Sequence, residues 1–260
     1  KLATEVDADV VAITDPDGDI LGVVANHNGE YVLMSGNQSA AVYLEYILSQ
    51  RKEKGTLPDN AVMYNTIVTS DLGELVARNY GVDVEKTLTG FKFIGDKIRK
   101  YEKTHEKQFI FGYEESYGCV VEDFVRDKDA VQAVLLAAEC GNYYKKQCKD
   151  LIDVLNELFA KYGTFKESQI ALAKAGAAGA ARIKEMMDTL RQDKPTEIGG
   201  VKVVLSEDYA TSERSDGTTI DLPKSNVLKY YLEDGSWIAA RPSGTEPKCK
   251  FYFSILGTDS

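Results

Sequence analysis

The chain has 260 residues, 43% hydrophobic and 28% charged, which is the balance of a globular protein with one to two domains. A formal charge of -10 and the lack of any long Lys/Arg block exclude an extended nucleic-acid or anionic-membrane surface, so an anionic ligand has to find a local basic pocket. Cys119, Cys140, Cys148 and Cys249 lack CxxC spacing, His27 and His105 stand far apart, and neither a signal peptide nor a bilayer-spanning apolar run is visible, so a cytoplasmic protein with reduced thiols is expected.

Residues 8–15, ADVVAITD, form a β-branched run that ends in aspartates, and LGVVANHNGEYVLM follows with a hairpin predicted at Asn26 to Gly29. TDPDGDILG, residues 14–22, therefore sits on a strand-to-strand loop. Ala41, Leu44, Tyr46 and Leu48 predict a helix over Gln38–Gln50 that opens a new domain, with KEKGTLPDN as a polar turn behind it.

AVMYNTIVT is strand-like, SDLGELVARNYG is a helix with Ser70 as N-cap and Gly81 as its stop, and VDVEKTLT is a strand again. GFKFIGDKIRKYEKTHEK gives another helix and QFIFGYEE a third strand. This alternation implies an α/β domain whose sheet is mostly parallel and whose site gathers at the carboxyl ends of strands. Two helices follow, Asp129–Gln147 with Val131, Val134, Leu135 and Ala138 at helical period, and Leu151–Tyr162 with Gly163 as its end; both are expected to pack on the sheet.

ALAKAGAAGAAR, residues 171–182, shifts the composition, and a domain boundary is placed just before it. Beyond it a helix through Ile183, Met186, Met187 and Leu190 and strands VKVVLS, NVLKYYLE, SWIAAR and KCKFYFSIL make an α+β module.

Three loops carry residues suited to chemistry. In RPSGTEPK, residues 241–248, Arg241 offers a planar fork for phosphate oxygens, Ser243 and Thr245 hydroxyls, Gly244 an approachable backbone and Lys248 charge; a decorated β-turn is the plainer reading. GYEESYG, residues 112–118, sets Glu114, Glu115 and Ser116 between glycines, which suits sugar hydroxyls but equally a solvated acidic loop. Asp15, Asp17 and Asp19 do not match an EF-hand, which needs Gly at the position of Ile20 and Glu at that of Asn26. An all-carboxylate set suits a hard cation such as Mg2+ sharing a phosphate, although on its own the loop reads as a solvated turn.

TDPDGDILG, TLTGFKFIG, GYEESYG and RPSGTEPK, in this order, together with IVTSDLG and DFVRDKDAV, resemble the α-D-phosphohexomutase superfamily of phosphoglucomutases and phosphomannomutases over nearly the whole chain. The resemblance implies a remnant of the metal-loop α/β domain at 1–36, a three-layer mixed-sheet, sugar-binding α/β domain at 37–168, and a smaller phosphate-binding α+β domain at 169–260 that is truncated at its end. It also implies interconversion of hexose 1-phosphate and hexose 6-phosphate, glucose first, through a phosphoserine and a hexose 1,6-bisphosphate that serves as activator and intermediate. By match, Asp15, Asp17 and Asp19 bind one Mg2+; Glu114 and Ser116 hold sugar hydroxyls with Thr89, Gly90 and Lys92 beside them; Arg241, Ser243, Gly244 and Thr245 grip the idle phosphate.

Two departures accompany the match. A phosphoserine stretch of the Ser-His-Asn-Pro type is not among these residues, and Ile20 stands where the family has Arg. The expectation is a piece of a phosphohexomutase that is inactive alone, binds hexose phosphate, binds neither nucleic acid nor membrane, and can self-associate through sheet edges bared by truncation. A non-catalytic sugar-phosphate-binding module is the alternative, and a structural protein that only retains the fold is the third reading.

Overall fold

The computed structural model describes residues 1–173, 176–244 and 246–257, with the side chain of Ala177 set aside, and it divides into two compact units, Lys1–Tyr162 and Gly163–Ser260. No helix among the described residues is long and apolar enough to cross a membrane.

The first unit opens with α1 (Leu2–Glu5) and an antiparallel meander of β1 (Val10–Thr14), β2 (Leu21–His27) and β3 (Glu30–Met34). Its hairpin turn is where the sequence placed it: Asn28 and Gly29 have φ of 53° and 87°, the two positive values a type I′ turn requires. Leu21, Val23 and Ala25 bury one face of β2, whereas Ile13 and Leu33 stay exposed.

Helix α2 (Gly36–Glu53) starts directly after β3, earlier than predicted, because Ser35 and Gln38 form a capping box. The Ser35 hydroxyl accepts the Gln38 N–H at 3.2 Å and the Gln38 side chain accepts the Ser35 N–H at 2.9 Å. There follow β4 (Ala61–Thr66), α3 (Leu72–Asn79), β5 (Asp83–Thr87), α4 (Lys92–Thr104), β6 (Gln108–Tyr113), β7 (Cys119–Val120), α5 (Ala130–Lys145) and α6 (Leu151–Tyr162).

The sheet runs β5-β4-β6-β7, parallel except for β7. Every residue of the central strand β4 is buried, which is why it reads as a nearly continuous apolar run. Ile94 and Ile98 of α4 pack with Val62, Tyr64 and Phe109 on one face. On the opposite face α3 lies so close that a Cβ at Gly73 would stand 2.2 Å from the Tyr113 hydroxyl. The chain thus crosses from one side of β4 to the other between β5 and β6, a topological switch of the kind beside which α/β sheets place their sites, at the carboxyl ends of the strands.

Two expectations for this unit need correction. Helix α3 begins at Leu72 with Asp71 at the cap position; Ser70 is buried, and its hydroxyl accepts the Leu72 N–H at 3.3 Å while Asp71 pairs with Lys86 at 2.7 Å. Helix α5 turns a different face inward: Val131 and Leu135 are 77% and 64% exposed, and Ala138 is exposed as well. Its buried residues are Ala130, Ala133, Leu136, Ala137, Cys140 and Tyr144. The Asp129 side chain caps this helix, and its small face admits close approach, with the Cβ position of Gly141 at 3.1 Å from Val10.

The second unit contains β8 (Thr164–Ala173), α7 (Gly176–Gln192), β9 (Glu197–Ile198), β10 (Val201–Asp208), β11 (Glu213–Arg214), β12 (Leu228–Leu232), β13 (Trp237–Pro242) and β14 (Lys248–Gly257). Its antiparallel sheet has the order β11-β10-β12-β13-β14-β8, with β9 added to β10. Met187 of α7 packs on Leu228, Tyr230, Ala240 and Cys249. On the other face Lys229 is buried with its ammonium 4.0 Å from the Trp237 ring centre, a cation–π contact.

The unit boundary lies at Tyr162/Gly163 rather than at 168/169 or just before the Ala-rich run. Its cause is β8, a mostly exposed strand with no local signature: Thr164 to Ala173 pair residue by residue with Gly257 to Lys248 of β14. All four cysteines are free thiols, and only Cys148 is exposed.

Candidate functional site

In the first unit three loops meet beyond the carboxyl ends of the parallel strands. Gly90, ahead of α4, donates its N–H to the Glu114 carboxylate at 2.8 Å, and Glu114 is 8% exposed. Thr66, the last residue of β4, donates its hydroxyl to Glu115 at 3.3 Å. The Tyr117 carbonyl accepts the Leu21 N–H at 3.0 Å and the Gly18 carbonyl accepts the Ala130 N–H at 3.0 Å, so the aspartate loop is tied to the GYEESYG loop and to the start of α5. Of the other residues singled out in the sequence, Thr89 is half-buried, Ser116 is exposed, and Lys92 is exposed at the first position of α4 with its ammonium 5.0 Å from the Phe93 ring centre.

The lysine of DFVRDKDAV reaches the aspartate loop. Lys128 places its ammonium 2.8 Å from Asp19, partly buried beside Gly118. Burial by itself lowers the Lys128 pKa, but the Asp19 hydrogen bond and the charges of Asp19 and Glu114 outweigh it and raise the pKa. No sequence spacing joins Lys128 to Asp19; the contact exists because α5 begins beside the aspartate loop.

Asp15 folds its own loop. Its Oδ1 accepts the N–H groups of Asp19 and Ile20 at 3.2 and 3.3 Å. Desolvation alone raises its pKa, but the hydrogen bonds from Ile20 and Asp19 together outweigh it and lower the pKa. Asp17 is exposed, and Gly18 takes a φ of 68° that permits the tight turn. Asp15, Asp17 and Asp19 do not form a gathered ligand set: among the described residues, the only three such side chains with ligand atoms within 4.8 Å of one another are His27, Asp150 and Asp153. The donor set is still all-oxygen and so fits Mg2+ in kind, provided that Asp19 exchanges its Lys128 partner for the ion.

In the second unit RPSGTEPK joins β13 to β14. Ser243 donates its N–H to the Lys248 carbonyl at 2.8 Å, its hydroxyl accepts the Glu246 N–H at 3.3 Å, and Lys248 pairs with Glu246 at 2.6 Å. Pro242, Ser243, Gly244 and Lys248 line a cavity of about 830 Å³ shared with Lys184 and Arg191 of α7. Thr245 lies outside the described residues. Arg241 is half-buried on β13, directly opposite Lys250 of β14.

Two family models match the chain, one in each unit. Residues 35–162 match "Phosphoglucomutase/phosphomannomutase, alpha/beta/alpha domain III", and residues 185–254 match "Phosphoglucomutase/phosphomannomutase, C-terminal domain". The chain belongs to the α-D-phosphohexomutase superfamily. Among curated superfamily members it is 40% identical to a phosphoglucomutase of Staphylococcus epidermidis RP62A over 261 aligned positions, 98% of this chain and 46% of that protein. A phosphoglucomutase of Staphylococcus aureus MRSA252 is 38% identical and is matched by 100% of this chain, 47% of its own length. The chain thus spans about half the length of these relatives.

Solved superfamily structures share the fold. The open form of the Paramecium phosphoglucomutase parafusin aligns with a TM-score of 0.69 at 21% identity, over 97% of this chain and 41% of that one. A Thermus thermophilus structure described as a putative phosphomannomutase aligns at 0.62 and 18% identity, over 98% and 45%.

Proposed function

We propose that this chain supplies the sugar- and phosphate-binding part of a phosphohexomutase that interconverts hexose 1-phosphate and hexose 6-phosphate through a phosphoserine and a hexose 1,6-bisphosphate, glucose being the first substrate to test. The observation that carries the reading is the convergence of Asp19, Lys128, Gly90 and Glu114 at the carboxyl ends of the parallel strands. In this reading Glu114 and Ser116 hold sugar hydroxyls, with Thr89, Gly90 and Lys92 beside them. Asp15, Asp17 and Asp19 hold Mg2+, which when bound neutralises charge on the phosphoryl group in transit. Lys128 adds a cation on the same side of the loop.

Arg241, Ser243, Gly244 and Thr245 hold the phosphate that is not reacting. The register supports this role, since Arg241 and Lys250 face each other across the β13–β14 pair. Like charges directly opposite repel, and a bound phosphate relieves the repulsion.

No residue of the chain is assigned as phosphoryl carrier, so the pure chain is expected to bind glucose 6-phosphate without turning it over. Calorimetric titration combined with a mutase assay in Mg2+ and glucose 1,6-bisphosphate tests this. Absence of binding overturns the reading, and sustained turnover overturns the assignment of the carrier elsewhere.

A second reading, a sugar-phosphate-binding module without catalysis, draws on Ile20, which is half-buried with its N–H on Asp15 and brings no cation to the loop. Mutase turnover by the complete gene product removes that reading.

A further inference from the structure

At the far end of β2 from the aspartate loop, the β2–β3 hairpin meets the start of α6. Asp150 caps this helix, its Oδ1 accepting the N–H groups of Ile152 and Asp153 at 2.8 and 3.0 Å. Asp153 reciprocates, its Oδ2 accepting the Asp150 N–H at 2.9 Å. The reciprocal cap uses one oxygen of each carboxylate and fixes both side chains. Their other oxygens, Asp150 Oδ2 and Asp153 Oδ1, lie 2.9 and 3.8 Å from Nδ1 of His27.

We propose that His27, Asp150 and Asp153 form a site for a divalent transition-metal ion, Zn2+ foremost, that latches the β2–β3 hairpin to α6. One imidazole nitrogen with two carboxylate oxygens is a donor set for Zn2+, Co2+ or Ni2+ rather than for Mg2+, which takes oxygen alone. Donors bound to tetrahedral zinc at about 2.0–2.2 Å stand roughly 3.3 Å apart, a separation that the two observed distances bracket. The side chains are 28%, 26% and 41% exposed, which leaves water access to complete the shell.

A further feature suits a metal-bound histidine. The second ring nitrogen, Nε2, lies 3.2 Å from the Asn28 side-chain amide. Turned to present its oxygen, that amide accepts the Nε2 proton and fixes the ring with Nδ1 facing the ion, as outer partners of metal-bound histidines do. Because Asp150 is 123 residues from His27, no local spacing announces the site. The cap already holds both carboxylates in place, so binding replaces the His27–Asp150 contact with bonds to the ion.

The test is a Zn2+ titration of the full chain carrying Cys148→Ser, since Cys148 is the one exposed thiol. Excess Mg2+ occupies all-oxygen loops during the titration, and Co2+ absorption serves as a second probe. One equivalent of Zn2+ should bind and raise the melting temperature, as a ligand of the native state does. Outer-shell partners contribute ~10–100-fold to metal affinity, so His27→Asn and Asp153→Asn should each weaken Zn2+ by at least about tenfold and alter the Co2+ spectrum. Cooperative melts without metal certify that each variant is folded, and either variant alone suffices. Failure of the parent chain to bind stoichiometrically overturns the proposal, as does an unchanged affinity in a folded variant; both leave His27 as an ion-pair partner of the cap.

Discussion

Glu114 accepts the backbone N–H of Gly90 at 2.8 Å, so the loop after β6 and the loop before α4 are held as one piece. A carboxylate that is 8% exposed and anchored in this way keeps its position whether or not a sugar is present. Any hydroxyl it binds then meets an acceptor that needs little reorganisation.

Replacing Glu114 with Ala removes a charged acceptor from the partly buried Gly90 N–H and should destabilise the chain by about 1.5–3 kcal/mol. Glu114→Gln keeps an amide oxygen for the same N–H and should recover most of that. Urea unfolding of both variants measures the difference. A Glu114→Ala chain as stable as the parent would mean that the two loops are held together by other contacts.

Gly36 is the first residue of α2, and a Cβ there would stand 2.4 Å from the Glu115 carbonyl oxygen and 2.7 Å from the Tyr117 nitrogen. Both are backbone atoms, so the GYEESYG loop itself must move. Gly36→Ala is therefore expected to cost about 1–3 kcal/mol, the range for overpacking, and to weaken glucose 6-phosphate binding along with it. Unchanged binding in a destabilised variant would separate that loop from the ligand.

The layered fold was legible because its central strands and helices have the right periods: the buried run of β4, the amphipathic α4, and the Asn28–Gly29 turn each declare themselves locally. Elements whose identity depends on a distant partner were not. TFKESQIALA of β8 buries only Phe165 and is a strand because β14 pairs with all of it. In α5 the large residues Val131 and Leu135 have helical spacing, yet the core takes the alanine face because the neighbouring strand comes close at Gly141. The site divides in the same way. Its loops were readable as motifs, whereas the Lys128–Asp19 pair and the His27–Asp150 contact depend on tertiary structure.

That reversal on α5 can be measured directly. Leu136→Ala removes a buried side chain and should destabilise by about 2–5 kcal/mol, while Leu135→Ala, on the open face, should stay within about 0.5 kcal/mol of the parent. Denaturant midpoints for the two variants check it. Comparable losses would restore the face read from the sequence.

Glu85 provides a pH signature. Burial alone raises its pKa, but hydrogen bonds from Lys97, Tyr101 and Lys107 prevail and hold it at about 2, below the ordinary 4.5. A carboxylate depressed on folding contributes stability that is fully present above the unfolded pKa and is lost as pH falls towards the folded one. The window is thus between about pH 4.5 and about 2. At ~1.4 kcal/mol per pKa unit, trimmed for solvent screening, the contribution is about 2 kcal/mol. Glu85→Gln should lower stability at pH 7 and flatten the acid limb across that window. An acid limb of unchanged slope would mean that the three partners do not favour the ionised carboxylate.

Arg241 carries the sharpest ligand prediction, because its strand and loop are contained in the second unit and depend on neither the aspartate loop nor Ile20. A hydrogen bond to a charged group contributes roughly 1.5–3 kcal/mol, so Arg241→Ala should weaken glucose 6-phosphate binding by about tenfold or more. Arg241→Lys should recover only part of this, since an ammonium lacks the two-pronged geometry of guanidinium. Lys250→Ala separates a phosphate site from a simple repulsive pair: relieving repulsion alone would stabilise the chain and leave the ligand unaffected, whereas a shared phosphate loses affinity. Inorganic phosphate should compete, and unphosphorylated glucose should bind far more weakly. Calorimetric titration of the parent and the three variants at one ionic strength decides the matter; equal affinity in all four would make RPSGTEPK a turn and nothing more.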